Sequence, residues 1–521
     1  MLLLKGKAAV EQSISNRNVE RVECEPNLPG AQDDSIPSLC GFFLALLASA
    51  FFQLSFEFPK LNCFILLYAC SLIILSRVSS ARLAFRFGFL AGFLVFAPQL
   101  AWFWKIFGPA ALCLWAVLSF FTGAFVATLH TWRSHFGLRF LWLAAPIFWT
   151  GLEYFRGELY FLRFSWLSAG YVFSGHAGLL PVGVFGVYGC GFVVFLLAAV
   201  AARPSFERTV VHLAVTTLLM AVLTNSAPAR LSKDVPGTPL KVAGIQLEFP
   251  PELQVPGYLD RVREKYPDAA LLVLSEYTFE SIVPKRVRQW CREHRRYLIA
   301  GGKKEGDRPG QFYNTAFVVG PTGEIVFEQV KSVPIQFFKD GLPAPEQKVW
   351  NSPWGKIAVC VCYDMSYRRV VDRFIRQGAQ AMIVPFMDVA DWGERQRHLH
   401  ARVASIRAQE YGIPIFRLGS SGVSQIVDRS GRILASAPYP GQEEIMGGAL
   451  QISARANLPL DTMLAPVCVV LLAVFICYIL IRVFAITPLR HPPIASPRPA
   501  ALFRPGEKPF PPKSRIPWKG P

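Results

Sequence analysis

A chain of 521 residues is too long for one ordinary domain, and a composition of 52% hydrophobic and 17% charged residues with 42 phenylalanines excludes a wholly water-soluble protein. The formal charge of +18 would suit nucleic acid, but Lys and Arg gather at the ends of apolar segments and in the final stretch, and no nucleic-acid motif or basic-aromatic stripe is present. Eleven scattered cysteines without a C-x-x-C pair and eight histidines without H-E-x-x-H argue against a disulfide framework and a metal site, and no cofactor is expected.

Residues 1–37 are polar, mixed in charge and proline-containing towards their end. They read as a flexible cytoplasmic arm, not a cleavable signal, because a long polar stretch precedes the first apolar run. Apolar segments then follow at roughly 38–56, 62–77, 84–104, 108–129, 139–155, 178–201 and 209–226, so a bundle of about seven spans is expected over 38–227. Arg77, Arg82, Arg86, Arg133, Arg139, Arg203 and Arg208 crowd alternate loops. The positive-inside rule then puts the amino terminus in the cytoplasm and everything after the seventh span outside. A closing span at 462–485 returns the chain to the cytoplasm, where the proline-rich basic stretch 486–521 reads as an extended tail.

Between these spans, residues 238–455 have the composition of a soluble α/β domain. Short apolar strands are predicted at 241–246, 270–274, 297–300, 315–319, 357–362, 381–384 and 413–417, alternating with helices at 284–296 and 395–411. His398 and His400 fall in the second helix and are expected on its surface. Gly320-Pro321-Thr322-Gly323 and Asp428-Arg429-Ser430-Gly431 read as hairpin turns. A layered sandwich with helices on both outer faces is the expected result.

Three reactive side chains close strands of this domain: Glu276 after Leu271-Leu272-Val273-Leu274-Ser275, Lys331 after Gln329-Val330, and Cys362 at the end of Lys356-Ile357-Ala358-Val359-Cys360-Val361. A thiol that attacks a carbonyl needs a base for its proton, and a carboxylate can fill that role and later act as the acid. A lysine ammonium and the Tyr363 N–H would then face the oxyanion. Taken singly, Glu276 reads equally as a solvated loop charge, Lys331 as a surface lysine and Cys362 as a packed thiol. Cys360 lies two residues earlier on the same predicted strand face, so periodicity alone does not choose between the thiols.

The order Glu276, Lys331, Cys362-Tyr363-Asp364 resembles the Glu-Lys-Cys triad of the nitrilase, or carbon-nitrogen hydrolase, superfamily. Tyr313-Asn314-Thr315, Met382-Ile383-Val384-Pro385, Arg407-Ala408-Gln409-Glu410-Tyr411-Gly412 and Gly422-Val423-Ser424 agree with it. A nitrilase-like domain outside a multi-span bundle is similar to the apolipoprotein N-acyltransferase family, as are Trp149 to Gly157, Phe164-Ser165-Trp166, Gly170-Tyr171 and Gly186-Val187-Tyr188-Gly189 in the membrane half. The resemblance covers roughly residues 38–485. It implies a multi-pass helical membrane bundle plus an α-β-β-α nitrilase-like sandwich, on the periplasmic side of a bacterial inner membrane. The implied reaction moves an acyl chain from a membrane phospholipid, through a Cys362 thioester, to the free α-amino group of a diacylglyceryl lipoprotein, with Glu276 as base and acid, Lys331 at the oxyanion, and a monomeric enzyme.

The resemblance also implies oxyanion or positioning roles for Tyr363, Asp364, Tyr313 and Asn314, and substrate-positioning roles for Asp340, Phe337, Phe338, Trp166 and Glu153. The segment Phe337-Phe338-Lys339-Asp340-Gly341-Leu342-Pro343 reads as an apolar lid or as a buried loop. Departures are specific. The family's Pro-Phe-Gly-Glu segment is replaced by Val333 to Asp340, in which only Asp340 can stand for the glutamate. Asp364 stands where Glu is usual, Ser275 precedes Glu276 in place of Pro, and no tryptophan follows Gln246.

Overall fold

The structure is a computed structural model and describes residues 35–174, 182–202, 239–439, 443–452 and 456–486. The predicted span at 209–226, residues 1–34 of the amino-terminal arm and the tail beyond residue 486 lie outside the described residues. The chain forms two compact units, one ending at Leu472 and one starting at Ala473, and the bundle, the α/β domain and the site all belong to the first.

The membrane half is built from α1 (Ser38–Glu57), α2 (Phe64–Leu75), α3 (Ala81–Gln99), α4 (Trp102–Phe107), α5 (Ala110–Phe136), α6 (Leu141–Tyr154) and α7 (Val182–Ala201). Of these, α1, α3, α5 and α7 are long and apolar enough to cross a membrane, whereas α2, at 12 residues, falls short of the hydrocarbon thickness. The segment predicted as one span at 84–104 is two helices. Pro98 lacks the N–H that would continue the ladder, α3 stops at Gln99, and α4 restarts at Trp102 before Gly108, at φ +55°, ends it. Past α6 the helix widens into a π turn at Phe155–Leu159.

The α/β domain holds β1 (Pro239–Ile245), α8 (Val255–Lys265), β2 (Leu271–Val273), α9 (Lys285–His294), β3 (Tyr297–Glu305), β4 (Phe312–Val319), β5 (Ile325–Val330), β6 (Val349–Ser352), β7 (Gly355–Val359), α10 (Arg368–Arg376), β8 (Ala381–Phe386), α11 (Glu394–Tyr411), β9 (Ile415–Gly419), β10 (Ser424–Val427), β11 (Ile433–Ala437) and β12 (Ile445–Gln451). The closing helix α12 (Asp461–Ile486) also has membrane length. The strands form two six-stranded sheets, in the orders β12-β1-β2-β3-β4-β5 and β11-β10-β9-β8-β7-β6. In each sheet three parallel strands, β1-β2-β3 or β7-β8-β9, are flanked by antiparallel neighbours. The central strands are apolar without alternation (Leu271-Leu272-Val273, Ala381 to Phe386) because both of their faces are buried.

Val255, Leu259 and Val262 of α8 and Val287, Trp290 and Cys291 of α9 cover the outer face of the first sheet, packing on Ala243, Leu272, Leu298 and Phe317. The sheets meet face to face, and a Cβ on Gly244 of β1 would strike Leu418 of β9. This is the expected α-β-β-α sandwich. The predicted hairpin turns link β4 to β5 and β10 to β11, with Gly323 and Gly431 at positive φ and Asp428 Oδ1 accepting from the N–H groups of Ser430 and Arg432.

Candidate active site

Strand ends of both sheets converge on one point. Glu276 lies just past β2, Lys331 directly follows β5, Cys362 lies three residues past β7, and Asp388 lies two past β8. The Glu276 N–H donates across to the carbonyl of Phe386 (3.4 Å), which ties one sheet to the other at the site. Cys360 still holds its strand bond to Ile383 (3.0 Å), but Cys362 turns to φ +50° and opens a short 3₁₀ helix, Cys362–Ser366. The predicted strand therefore ends earlier than residue 362, and the two thiols do not share a strand face. A non-glycine residue in the left-handed region costs of order 1 kcal/mol or more and persists where the surroundings fix it. Tyr277, next to Glu276, is held the same way at φ +55°.

The polar groups behind the thiol form a closed set. Lys331 Nζ donates to Glu276 Oε1 (2.9 Å) and Asp340 Oδ2 (2.8 Å), and Asn314 Nδ2 bridges the same two carboxylates at 2.6 and 3.0 Å. Asp340 also accepts from the Tyr277 hydroxyl (2.6 Å) and the Ile335 N–H (2.8 Å). Asp364 accepts from the N–H groups of Ser332 and Val333, both at 2.7 Å, and so fixes the segment that carries Lys331. Glu276, Lys331 and Cys362 are all buried.

Burial sets the charges. It pushes the Cys362 thiol well above its usual range, with the Glu276 carboxylate adding to the shift, so the resting sulfur is an S–H. The thiol donates to the Met387 carbonyl (3.8 Å), and it and Glu276 shift each other's protonation. Burial also raises the Glu276 carboxyl; Lys331 works against this and the Asp340 charge works with it. For Lys331, burial opposes the ammonium, but the Asp340 and Glu276 carboxylates hold it well above the usual lysine range. Burial likewise opposes the Asp340 charge, and Lys331 holds it below the usual aspartate range. The site thus brings together a neutral thiol, a buried carboxyl group of raised proton affinity, and a fixed cation.

On its other side Cys362 faces a partly open apolar cavity, shared between the domain and the bundle. Trp102, Phe103 and Phe107 of α4, Leu114, Val117 and Leu118 of α5, and Phe164 and Trp166 line it from the membrane half, and Tyr363, Met387 and Trp392 from the domain. Phe337 and Phe338 close it at the rim, with ring centroids 5.9 and 6.0 Å from Phe107 and exposures of 66% and 40%, so this loop is an exposed apolar lid, not a buried loop. The bundle also grips the turn that carries the thiol. Ser165 Oγ donates to the Ser366 carbonyl (2.9 Å), Trp166 Nε1 to Ser366 Oγ (2.7 Å), and Arg407 to the carbonyls of Met365 (3.0 Å) and Ser366 (2.9 Å).

Of the residues singled out in the sequence, Glu276, Lys331, Cys362, Asn314, Asp340 and Asp364 come together around the thiol, and Tyr363, Trp166, Phe337 and Phe338 line the cavity. Tyr313 precedes Asn314 on β4 and so points to the opposite face of the sheet. Glu153 is buried within the bundle, where its Oε1 accepts from the Ala169 N–H (2.8 Å), away from the thiol cluster. His400 is not on the surface as expected. It is buried against the cavity, hydrogen-bonded through Nδ1 to Asp388 (2.9 Å) and stacked on Trp166 with centroids 5.1 Å apart. Asp388 escaped the sequence reading although a signal existed, since it closes a strand as the other reactive residues do, and Arg407 was named only within a segment of the resemblance, without a role.

Residues 45–200 match the apolipoprotein N-acyltransferase N-terminal domain, and residues 196–459, half of the chain, match the carbon-nitrogen hydrolase family. The chain is 24% identical over 477 residues to an apolipoprotein N-acyltransferase from Geobacter metallireducens, covering 80% of this chain and 91% of that one. It is 27% identical over 479 residues to one from Pseudomonas paraeruginosa, covering 79% and 90%. Among solved structures, Saccharomyces cerevisiae Nit3, a member of branch 10 of the nitrilase superfamily, aligns with a TM-score of 0.37 at 20% identity over 42% of this chain and 92% of that one. With two adjoining matches that run from the bundle through the sandwich, the chain belongs to the carbon-nitrogen hydrolase family, in the membrane-bundle form of the apolipoprotein N-acyltransferases.

Proposed function

We propose that this protein is a phospholipid:apolipoprotein N-acyltransferase. It moves an acyl chain from a membrane phospholipid to the free α-amino group of the diacylglyceryl-cysteine at a lipoprotein amino terminus. The observation that carries this reading is the position of Cys362, between a closed polar set and an apolar cavity walled half by membrane helices. A soluble amide substrate has no use for such a cavity; an acyl chain does.

In the first half-reaction Glu276 takes the thiol proton while the sulfur attacks the ester carbonyl. Lys331 and the Tyr363 N–H face the oxyanion, the C–O bond breaks, and Glu276 returns the proton to the glycerol oxygen, so that a lysophospholipid leaves. In the second half, the neutral α-amine attacks the thioester, Glu276 takes a proton from its nitrogen, the C–S bond breaks, and the sulfur regains the proton. Asp340 and Asn314 keep Lys331 and Glu276 aligned, and the apolar wall keeps water from the thioester. The arginine-rich alternate loops support a bacterial inner-membrane protein with its α/β domain on the periplasmic side and its arm (1–37) and tail (486–521) in the cytoplasm.

The test is incubation of the full-length protein with labelled phosphatidylethanolamine and a diacylglyceryl peptide. Acyl-peptide, lysophospholipid and an acyl-thioester on Cys362 by mass spectrometry are expected, all lost in Cys362→Ala. Release of free fatty acid or ammonia without acyl-peptide would instead indicate a hydrolase, and no thioester at all would indicate a silent scaffold.

A further inference from the structure

We propose that Arg163 is a phosphate-binding residue at the mouth of the cavity, where it receives the phosphodiester of the lipid whose chain fills the apolar space. This deepens the reading above and rests on it for the identity of the ligand. Besides Cys362 and Tyr363, three ionisable side chains line the cavity: Arg163, Asp388 and His400. Asp388 and His400 are committed to each other, and Asp388 also accepts from Gln396 Nε2 (2.8 Å). Arg163 stands apart. It makes no ion pair among the described residues, and its Nε is buried without a hydrogen-bond partner. Its guanidinium lies over the ring of Tyr367, 5.3 Å from the centroid, which fixes its plane and leaves the edge N–H groups uncommitted.

A second guanidinium reinforces the site. Arg369 is lowered by burial and then by the charge of Arg163, so two like charges are held near each other. The Glu158 carboxylate acts on Arg369, but its oxygens already accept from the N–H groups of Arg368 (2.9 Å) and Arg369 (3.4 Å) and from the Tyr188 hydroxyl (3.2 Å). Among the described residues no carboxylate pairs with the Arg163 guanidinium, and a guanidinium edge matches phosphate oxygens in geometry and charge.

The surroundings say what the anion is attached to. Phe161 is 73% exposed on the same turn as Arg163, and the lid is tied to that turn by Gln336 Nε2 donating to the Phe161 carbonyl (3.2 Å). Open apolar side chains beside an unpaired arginine are the pattern of headgroup depth, where hydrocarbon and phosphate meet. A phosphate held at Arg163 leaves its acyl chain in the cavity that contains the Cys362 thiol.

The experiment uses full-length Cys362→Ala protein in detergent micelles, which binds without turnover. A lysophosphatidylethanolamine and a monoacylglycerol, both with brominated chains, report binding by quenching Trp102 and Trp166, which line the cavity. Adding Arg163→Gln is expected to weaken the lysophospholipid about tenfold, one charge-assisted contact's worth, and to leave the monoacylglycerol within twofold. An equal loss for both lipids would make Arg163 a packing residue, and no loss for the lysophospholipid would remove the phosphate site. Either result overturns the inference. So would inorganic phosphate displacing the lysophospholipid at millimolar concentration, since the site would then bind free phosphate. Wild-type acylation is scored separately. If no phospholipid acylates Cys362 yet binding remains Arg163-dependent, the reaction reading fails and the phosphate site stands.

Discussion

On one side of Cys362 stand Glu276, Lys331, Asp340 and Asn314, polar groups bonded to one another; on the other lies a cavity walled by aromatic and aliphatic side chains in which Arg163 is the one cation without a protein counter-ion among the described residues. Both sides exclude water, but for different ends. The polar side uses dryness to strengthen fixed charges, so little reorganisation is left for the moment of reaction. The apolar side offers space lined by hydrocarbon, which in the proposed reaction an acyl chain would fill in place of water. Under the proposed function, a thiol at the boundary would meet a lipid's reacting carbonyl with the polar set on one face and the chain on the other.

The sharpest way to break this contrast is to remove the central cation. Lys331→Met leaves Glu276 and Asp340 facing each other without a counter-charge. Single-turnover thioester formation is expected to fall by about 10³-fold or more, and thermal unfolding to report a loss of about 3–5 kcal/mol. Conversely, equal rates in Lys331→Met and the wild type would dissociate the polar side from the chemistry.

The charge balance also sets a pH dependence. Because Glu276 must be a carboxylate to take the proton, and burial raises its pKa, acylation of Cys362 should fall as pH drops through a point above the ordinary glutamate range. Asp340→Asn removes a negative charge that raises Glu276 and leaves Lys331 more fully to it, so the inflection should move to lower pH while the plateau rate drops about tenfold. A pH–rate profile of the acylation half-reaction would read both, and an upward shift would refute the assignment of Glu276 as base.

On the apolar side the handle is length. Leu114→Trp adds bulk to the wall and should shift donor preference towards chains shorter by a few methylenes, changing the long-to-short ratio about tenfold at about 0.8 kcal/mol per buried methylene. Competition between two phospholipids in one assay would show it, and an unchanged ratio would place the chain elsewhere. The smallest effect belongs to Cys360→Ser. This thiol is buried but lies one residue past β7, before the turn, so acylation rates are expected within about twofold of wild type, with about 1 kcal/mol lost in stability.

Glu276 and Cys362 stood out as candidates because each follows an apolar run that reads as a buried strand, whereas Lys331 follows the mostly unburied β5 and was picked out by its order between them in the family resemblance. Asp340 was visible only as a possible substitute within a segment unlike the family's. Its place beside Lys331 depends on the loop returning past Asn314 and Tyr277, which no local pattern encodes. Tyr313 went the other way, since alternation along β4 admits Asn314 and turns its neighbour away. The edge strands β6, β11 and β12 were missed because they are short or exposed and carry little apolar signal.

By itself, then, the sequence determined the presence of long apolar helices, the alternating α/β domain and the order of three reactive side chains, because hydrophobic period and strand ends are local properties of a chain. Only the tertiary structure decided which thiol faces the cavity, through the left-handed turn at Cys362, and that the cavity is walled half by the bundle. It likewise decided that His400 is buried against Asp388 and that Arg163 has no counter-ion among the described residues. Those outcomes depend on contacts between residues as far apart as Ser165 and Ser366, and burial decides the charge of each group only once those contacts are made.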